Sequence, residues 1–157
     1  MKFTLYNIGK TDKSYLHKGI EDYCGRIKHF IDFSVIDIPA IKSGNKMPHE
    51  IIKKKEGEAL LNALTKQEIV ILLDENGTEM NSRKFAEWLN KLQTQSYKQV
   101  AFVSGGAFGF SQEIYNLAHQ KISLSKLTLT HQMVRLVFVE QLYRACTILK
   151  GMQYHND

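Results

Sequence analysis

The hydrophobic positions of this chain follow two periods, and together they predict strands and helices that alternate. Short apolar runs at residues 2–8, 33–38, 68–74, 100–104 and 121–124 predict five strands. Between them, apolar residues recur every three or four positions. This spacing predicts helices from a cap at Asp12 or Ser14 to about residue 29, over residues 49–64, 82–94 and 112–118, and from a cap at Thr130 to about residue 150.

The alternation is typical of an α/β sandwich with a largely parallel sheet. The third predicted strand, EIVILLD at residues 68–74, is apolar almost throughout, as expected for a strand that is covered on both faces. We expect the Asn76–Gly77 dipeptide to end that strand in a turn. The chain shows no repeat, linker or low-complexity segment, so residues 1–157 are expected to form a single domain.

Composition indicates the class of protein, its compartment and its partners. With 157 residues, 43% hydrophobic and 24% charged, the chain has an ordinary globular profile and no apolar run long enough for a membrane span. We interpret its first residues as a strand and not as a signal peptide. Cys24 and Cys146 lie far apart in predicted helices, which favours reduced thiols in the cytoplasm over a disulfide or zinc site. The net charge of +5 suits a nucleic-acid partner, and equally a mildly basic protein without one.

The most informative segment is VAFVSGGAFG at residues 100–109, where a buried strand stops at Gly105 and Gly106, with Gly109 close behind. Glycines at the carboxyl end of a parallel strand let the backbone approach a ligand closely, although a simple tight turn would use them too. A dinucleotide-binding chain has G-x-G-x-x-G after its first strand. Here the pattern is G-G-x-x-G after the fourth, which disfavours that plan.

Two other segments are expected at the same edge of the sheet. Leu73 and Asp74 end the third strand, where the carboxylate would bind a ribose hydroxyl or cap the following turn. The loop SLSKLTLT at residues 123–130 carries alternating leucines that would enclose an aromatic base, or would only join the core before a helix cap. Together the three segments predict a pocket for one flat, amphipathic ligand.

Polar residues on the last helix and in the tail are further candidates. His131 is expected in the first helical turn, and Arg135 is expected to face solvent or phosphate. Arg144 lies late in the helix, where an arginine usually extends its head group to solvent. Tyr154 and His155 lie near the chain end, which normally frays. If the tail folds over a ligand, His155 is a candidate for proton transfer, the usual catalytic role of an imidazole near neutral pH.

Several function classes lack their usual motifs. The sequence has no G-x-S-x-G, H-E-x-x-H, P-loop or paired-cysteine pattern, so hydrolase, zinc-enzyme and nucleotide triphosphatase functions are disfavoured, and no metal is expected.

Taken together, these motifs resemble the ribosomal RNA large subunit methyltransferase H family of the SPOUT, or α/β-knot, superfamily. The resemblance runs almost from end to end. Its carriers are LYNIGK near the start, IDIPA at 37–40 with the preceding Ile36, KKKEGEALL at 53–61, ILLDENG at 71–77, FVSGGAFGF at 102–110, LSKLTLTHQMVRLVFVEQLYRA at 124–145, and a terminal YH.

The resemblance implies a Rossmann-like parallel-sheet sandwich whose C-terminal part forms a deep trefoil knot, an exception to the rule against knotted chains. It implies a homodimer and S-adenosylmethionine as the cofactor. The implied cofactor-binding residues are Leu73, Asp74, Gly105, Gly106, Ser125, Lys126, Leu127, Thr128, Leu129 and Thr130. The implied reaction is methylation of N3 of a pseudouridine in helix 69 of 23S ribosomal RNA, within the assembled ribosome.

For that reaction we assign hypothetical roles to three residues. His155 would accept the imide proton, Tyr154 would position or stack on the base, and Arg144 would stabilise negative charge on the imide oxygens. One subunit of the dimer would hold the cofactor while the other contributes to the RNA site. Candidate phosphate contacts are Lys10, Lys13, Lys42, Lys46 and Lys53–Lys55.

The chain departs from the family pattern in two places. Relatives often have proline beside the last-loop histidine and a His-Pro-Tyr-His tail, where this chain has Thr130-His131-Gln132 and Met152-Gln153-Tyr154-His155. The terminal Asn156-Asp157 also replaces a frequent basic residue. Three alternatives stay open at this point: a knotted methyltransferase acting on another RNA, a non-catalytic RNA-binding or ribosome-assembly factor, and the disfavoured nicotinamide-dependent oxidoreductase.

Overall fold

The computed structural model of the chain describes residues 1–42 and 47–156. Strands and helices alternate along it as the hydrophobic pattern predicts, with bounds that differ by a few residues. In chain order the elements are β1 (Lys2–Ile8), α1 (Ser14–Ile27), β2 (Asp32–Ile38), α2 (His49–Ala63), β3 (Ile69–Glu79), α3 (Ser82–Gln93), β4 (Gln99–Ser104), α4 (Gln112–Leu117), β5 (Gln120–Ser123) and α5 (Met133–Leu149).

The strands form one five-stranded parallel sheet in the order β2-β1-β4-β3-β5. One face packs against α1, α3 and α5, and its core includes Ile27, Leu89 and Phe138. The other face packs against α2 and α4 through Leu60 and Ile114. Covering both faces removes the apolar strands from water, which explains their nearly continuous hydrophobic runs. The predicted α/β class is therefore confirmed.

The prediction of a turn at Asn76–Gly77 is wrong, because β3 continues through both residues to Glu79. The strand changes register there: Leu73 and then Thr78 both pair with Ile122 of β5. A Cβ on Gly77 would lie 2.6 Å from the backbone nitrogen of Ile122. Glycine at this position thus allows β5 to approach closely, and the bulge lies between the two stretches of β3 that pair with β5.

The predicted helix caps are only partly right. Lys13 is the N-cap of α1 and makes no side-chain cap, whereas Asp12 is bonded to Gln132 at the start of α5. Thr130 does accept a hydrogen bond, from the backbone N–H of Met133 at 3.2 Å, but α5 begins at Met133. Leu149, which ends that helix and whose spacing from the preceding apolar residues predicts burial, is exposed.

A polar network ties the carboxyl ends of three strands together. Ser104 of β4 donates a 2.7 Å hydrogen bond to Asn7 of β1, which donates a 2.9 Å bond to Asp37 of β2. Since buried polar groups are costly unless paired, these bonds fix the relative positions of the strand ends. Within the described ranges, no helix is long and apolar enough to cross a membrane.

Candidate functional site

A cavity of about 510 Å³ opens at the carboxyl ends of β3 and β4, as expected for a ligand site in a parallel sheet. The glycine segment after β4 and the loop between β5 and α5 form its other walls. Its lining includes nine of the ten residues predicted to bind the cofactor: Leu73, Asp74, Gly105, Gly106, Ser125, Leu127, Thr128, Leu129 and Thr130. The structure thus brings the three predicted segments together at one cavity.

The glycine wall consists of Gly105 and Gly106, and both positions are sterically restricted. A Cβ on Gly105 would lie 3.3 Å from the ring of Phe110, and one on Gly106 would overlap the carboxyl group of Glu56. Gly109 closes the segment with φ of +80°, a conformation that glycine adopts without strain. A larger residue at position 105 or 106 would therefore shift the wall of the cavity.

Asp74 lies in β3 directly after Leu73, the last residue of that strand that pairs with β4. Its Oδ1 accepts a 2.8 Å hydrogen bond from the backbone N–H of Asn76, and its Oδ2 accepts a 2.6 Å bond from the hydroxyl of Tyr115. Burial and the hydrogen bond to Asp74 raise the pKa of Tyr115 to about 12, so its hydroxyl remains protonated. The hydrogen bond expected of a capping Asp74 is present, although the chain makes no turn there, and the carboxylate also links β3 to α4.

The loop before α5 is held by hydroxyl side chains. Ser123 donates to the carbonyl of Ser125, and Ser125 accepts from the backbone N–H of Leu127 at 2.9 Å. Thr128 donates to Glu75 at 3.3 Å, which joins this loop to the end of β3. These contacts hold the loop, which contains no proline between residues 123 and 130. Leu127 remains 78% exposed, at the open mouth of the cavity.

Lys126 is the predicted cofactor residue that the lining does not include. Its Nζ lies 3.7 Å from Glu79, and its side chain is largely exposed. Among the described lining residues there is no lysine or arginine, whereas Asp74 and Glu75 both carry carboxylates. Burial and the nearby Arg135 lower the pKa of His131, so its imidazole is neutral at neutral pH. The cavity therefore suits a neutral or cationic ligand.

Arg135 is fully buried, and the expectation that it faces solvent or phosphate is wrong. Its guanidinium donates to the carbonyl of Gly9 at 2.9 Å, to the hydroxyl of Thr11 at 3.1 Å and to the carbonyl of Ile8. Burial lowers its pKa, and Asp37 and Asp12 partly oppose that effect. The side chain fastens α5 to the end of β1. It does not reach outward to a ligand.

The three predicted catalytic residues lie together beside the second half of α5. Arg144 Nη1 is 3.3 Å from His155 Nδ1, and the guanidinium lies 4.7 Å from the ring centre of Tyr154. Arg144 also donates to the carboxylate of Glu140 through Nε at 3.1 Å and through Nη2. The tail therefore folds back on the helix. We call the side chains of Glu140, Arg144, Tyr154, His155 and Tyr23 together the tail cluster.

Tyr154 is held on both sides of its hydroxyl. The oxygen lies 3.1 Å from Glu140 Oε1 and 3.1 Å from the hydroxyl of Tyr23, and its ring packs edge-on against Tyr143. Burial, the contact with Tyr23 and the carboxylate of Glu140 together raise the pKa of Tyr154. Sequence reasoning missed Glu140 and Tyr23. The i,i+4 spacing of Glu140 and Arg144 was an available signal for the first, whereas nothing local identified the second.

The tail cluster and the cavity occupy different parts of α5. Val134 lines the cavity, whereas Arg144 comes ten residues later, a separation of about 15 Å along a helix. Within one chain, the cofactor candidates and the catalytic candidates therefore do not form one continuous site.

The lysines predicted to contact phosphate differ in their surroundings. Lys10, Lys13, Lys42, Lys54 and Lys55 are exposed. Lys53 is half-buried and lies 2.8 Å from Glu50, and Lys46 lies outside the described residues. Across the part of the chain that the structure describes, no group of three or more His, Cys, Asp or Glu side chains is arranged to hold a metal ion.

Comparison with known proteins gives one consistent result. A family model described as "Predicted SPOUT methyltransferase" matches residues 1–155. Ribosomal RNA large subunit methyltransferase H of Bacteroides fragilis is 47% identical and that of Phocaeicola vulgatus 46% identical, each covering 100% of both chains. The crystal structure of a probable methyltransferase from Bordetella pertussis Tohama I superposes with a TM-score of 0.51 at 14% identity, covering 92% of this chain and 93% of the other.

Proposed function

The chain belongs to the SPOUT methyltransferase family, and from that premise we propose that it methylates ribosomal RNA with S-adenosylmethionine as the methyl donor. The proposed target is N3 of a pseudouridine in helix 69 of 23S ribosomal RNA on the assembled ribosome. The names of the two relatives support the RNA class. The sequence motifs that resemble the ribosomal RNA large subunit methyltransferase H family are the basis for the finer specificity.

The observation that carries this proposal is the charge of the cavity. Its described lining combines leucines and glycine backbone with two carboxylates and lacks lysine and arginine. An adenosine ring suits the apolar part, and the positively charged sulfonium suits a site without cationic side chains. A nicotinamide dinucleotide would bring a pyrophosphate, which needs cationic or helix N-terminal partners. The residues present therefore fit S-adenosylmethionine better than they fit a dinucleotide.

When bound, S-adenosylmethionine supplies a methyl group that its sulfonium activates for transfer. We assign the backbone of Leu73, Gly105 and the loop residues Ser125–Thr130 to holding it, because these segments form the walls of the cavity. Leu124 and Leu129 provide apolar contacts for the base. The contribution of the protein is mainly to align the methyl group with the attacking nitrogen.

The RNA side of the reaction is assigned to the tail cluster. The imide nitrogen of pseudouridine must lose its proton to become an effective nucleophile, and His155 is the proposed acceptor. Arg144 is proposed to stabilise the negative charge on the imide oxygens, and the ring of Tyr154 to position the base. Glu140 orients two of these groups, since it accepts hydrogen bonds from both Arg144 and Tyr154.

Because the tail cluster and the cavity lie apart on α5, the proposal includes a homodimer. In a two-fold dimer, the tail of one protomer can complete the cavity of its partner, and each dimer then holds two composite sites. The deep trefoil knot expected from the family resemblance and a cytoplasmic location are part of the same proposal.

Transfer of a tritiated methyl group tests the function directly. Purified protein is incubated with labelled S-adenosylmethionine and either assembled ribosomes or free 23S ribosomal RNA, both from a strain that lacks the corresponding gene. We expect label in the ribosomes at one pseudouridine of helix 69, and little in free RNA. Label at another nucleotide would support a different RNA target. Failure of the protein to bind S-adenosylmethionine in a titration would favour the assembly-factor alternative.

A further inference from the structure

Glu56 on α2 has a buried carboxyl oxygen that none of the described residues bonds. The residue is 7% exposed, and its Oε2 makes no hydrogen bond with any residue that the structure describes. Burial raises its pKa, and no cationic side chain contributes an opposing effect. A buried carboxyl group is unfavourable unless it is paired, so an unpaired one indicates a functional constraint at this position.

The carboxyl group lies directly behind the glycine wall of the cavity. A Cβ on Gly106 would overlap Oε2 of Glu56 and would lie 3.1 Å from its Cδ. Gly106 lines the cavity and Glu56 does not, so the carboxyl group contacts the glycine wall from outside the ligand space. Because Gly106 has no side chain, the carboxyl group of Glu56 lies directly against its backbone, at the wall of the cavity.

The two carboxylates that line the cavity are already engaged, unlike Glu56. Asp74 accepts hydrogen bonds from Asn76 and Tyr115, and Glu75 accepts one from Thr128. Glu56 has an unengaged acceptor in surroundings of low polarity, where a charge interacts more strongly than it does in water. A cationic ligand in the cavity would supply the compensating charge that the protein does not.

We propose that Glu56 is a specificity-determining residue that favours the positively charged methyl donor over the neutral product through the backbone of Gly106. The inference rests on the proposed function. Methyl transfer leaves the electron pair of the broken carbon–sulfur bond on sulfur, so the sulfonium becomes an uncharged thioether. The attraction of Glu56 then disappears, which favours release of the product S-adenosylhomocysteine and binding of a new donor molecule.

Isothermal titration with the two ligands tests this inference. Dissociation constants for S-adenosylmethionine and S-adenosylhomocysteine are measured for the wild type, Glu56→Gln and Glu58→Gln. Glu58 is exposed on the same helix, so its substitution removes one negative charge at a matched position away from the cavity. Both ligands carry the same amino acid and adenosine groups, and therefore the ratio of their dissociation constants isolates the effect of the sulfonium charge.

We expect Glu56→Gln to shift that ratio about tenfold toward the product, equivalent to about 1.4 kcal/mol. Glu58→Gln should leave the ratio unchanged. Glu56→Asp, which keeps the charge but draws it back by one methylene, should give an intermediate value and provides a second variant if the glutamine does not fold.

An unchanged ratio in Glu56→Gln, or an equal weakening of both ligands, would overturn the inference while wild-type binding of S-adenosylmethionine upholds the proposed function. Absence of binding by the wild type would overturn both.

Discussion

Nη1 of Arg144 lies 3.3 Å from Nδ1 of His155, so a guanidinium that can only donate hydrogen bonds faces one ring nitrogen of the tail histidine. Nδ1 must then accept, and the proton of the neutral imidazole lies on Nε2. In this arrangement Nδ1 is occupied, so His155 must separate from Arg144 before Nδ1 can take up the imide proton. On the role proposed for His155, proton acceptance at Nδ1 therefore requires a small movement of the tail.

If His155 accepts the imide proton, His155→Ala should lower the single-turnover rate of methyl transfer by about a hundredfold or more. The rate is measured on assembled ribosomes, with His29→Ala as a control because His29 is exposed at the end of α1. The control should match the wild type. A near-normal rate in His155→Ala at every pH at which the wild type is active would show that another group takes the proton.

Arg144→Lys should separate chemistry from cofactor binding. Lysine keeps the positive charge but loses the planar guanidinium that contacts Glu140, Tyr154 and His155 together. We expect transfer to slow by about a hundredfold while the dissociation constant for S-adenosylmethionine stays unchanged, because the role proposed for Arg144 is to stabilise charge on the RNA base. A parallel loss of cofactor affinity would mean that Arg144 also contributes to a cofactor site, in its own protomer or in the partner.

Two glycine-to-alanine substitutions should have opposite effects. Gly106→Ala places a methyl group against Glu56 and should destabilise the fold by about 1–3 kcal/mol while weakening S-adenosylmethionine binding. Gly25→Ala adds a methyl group in open space on α1 and should be neutral or stabilising by up to about 1 kcal/mol. Urea unfolding and titration measure both effects. Equal stability of the two variants would contradict the tight fit at position 106.

The raised pKa of Glu56 gives the stability of the protein a defined pH dependence. In the folded state the carboxyl group keeps its proton at pH values where the unfolded chain has lost it. Its stabilising contribution is therefore complete below the unfolded pKa, about 4.3, and is lost as the pH rises through the folded value. Glu56→Gln lacks this loss and should exceed the wild type by about 1 kcal/mol in unfolding free energy at neutral pH.

Denaturant unfolding at several pH values, on wild type and Glu56→Gln, provides the measurement for Glu56. The two stability curves should diverge as the pH rises. Curves that stay parallel would show that the carboxyl group finds a partner in solution.

Mixed dimers test the composite site. Gly106→Val disables the cavity and Arg144→Ala disables the tail cluster, so each homodimer should be inactive. Co-expressed, differently tagged subunits should form heterodimers with one intact site each, and a statistical mixture should recover roughly a quarter of the wild-type activity. No recovery in purified heterodimers would place the complete site within a single protomer.

The hydrophobic pattern was sufficient for the elements of the fold because burial of both sheet faces leaves a direct trace in the sequence. It failed where a tertiary contact overrode a local preference. Asn76–Gly77 is a favourable turn sequence, yet β3 continues through it to a second pairing with Ile122 of β5. Arginine is usually a surface residue, but Arg135 is buried because its guanidinium donates to carbonyl groups at the end of β1. Only folding brings those groups within reach.

The candidate site was predictable where it depends on strand ends and less so where it depends on packing. Leu73, Gly105 and the loop before α5 were expected at one edge because parallel strands end together. Glu56 and Tyr23 gave no such signal, since each reaches its site from a helix that is distant in sequence from the groups it meets. Lys126 was predicted to bind the cofactor because its neighbours in the loop were, but its side chain points to Glu79.

The bonds of Arg135 also bear on when the protein becomes able to bind its ligand. The guanidinium joins a residue in the last quarter of the chain to carbonyl groups within its first ten residues. A nascent chain that has not yet emerged from the ribosome as far as α5 lacks both this fastening and the last wall of the cavity. If the cavity binds the cofactor as proposed, we expect binding only when synthesis is nearly complete, and none in chains truncated before α5.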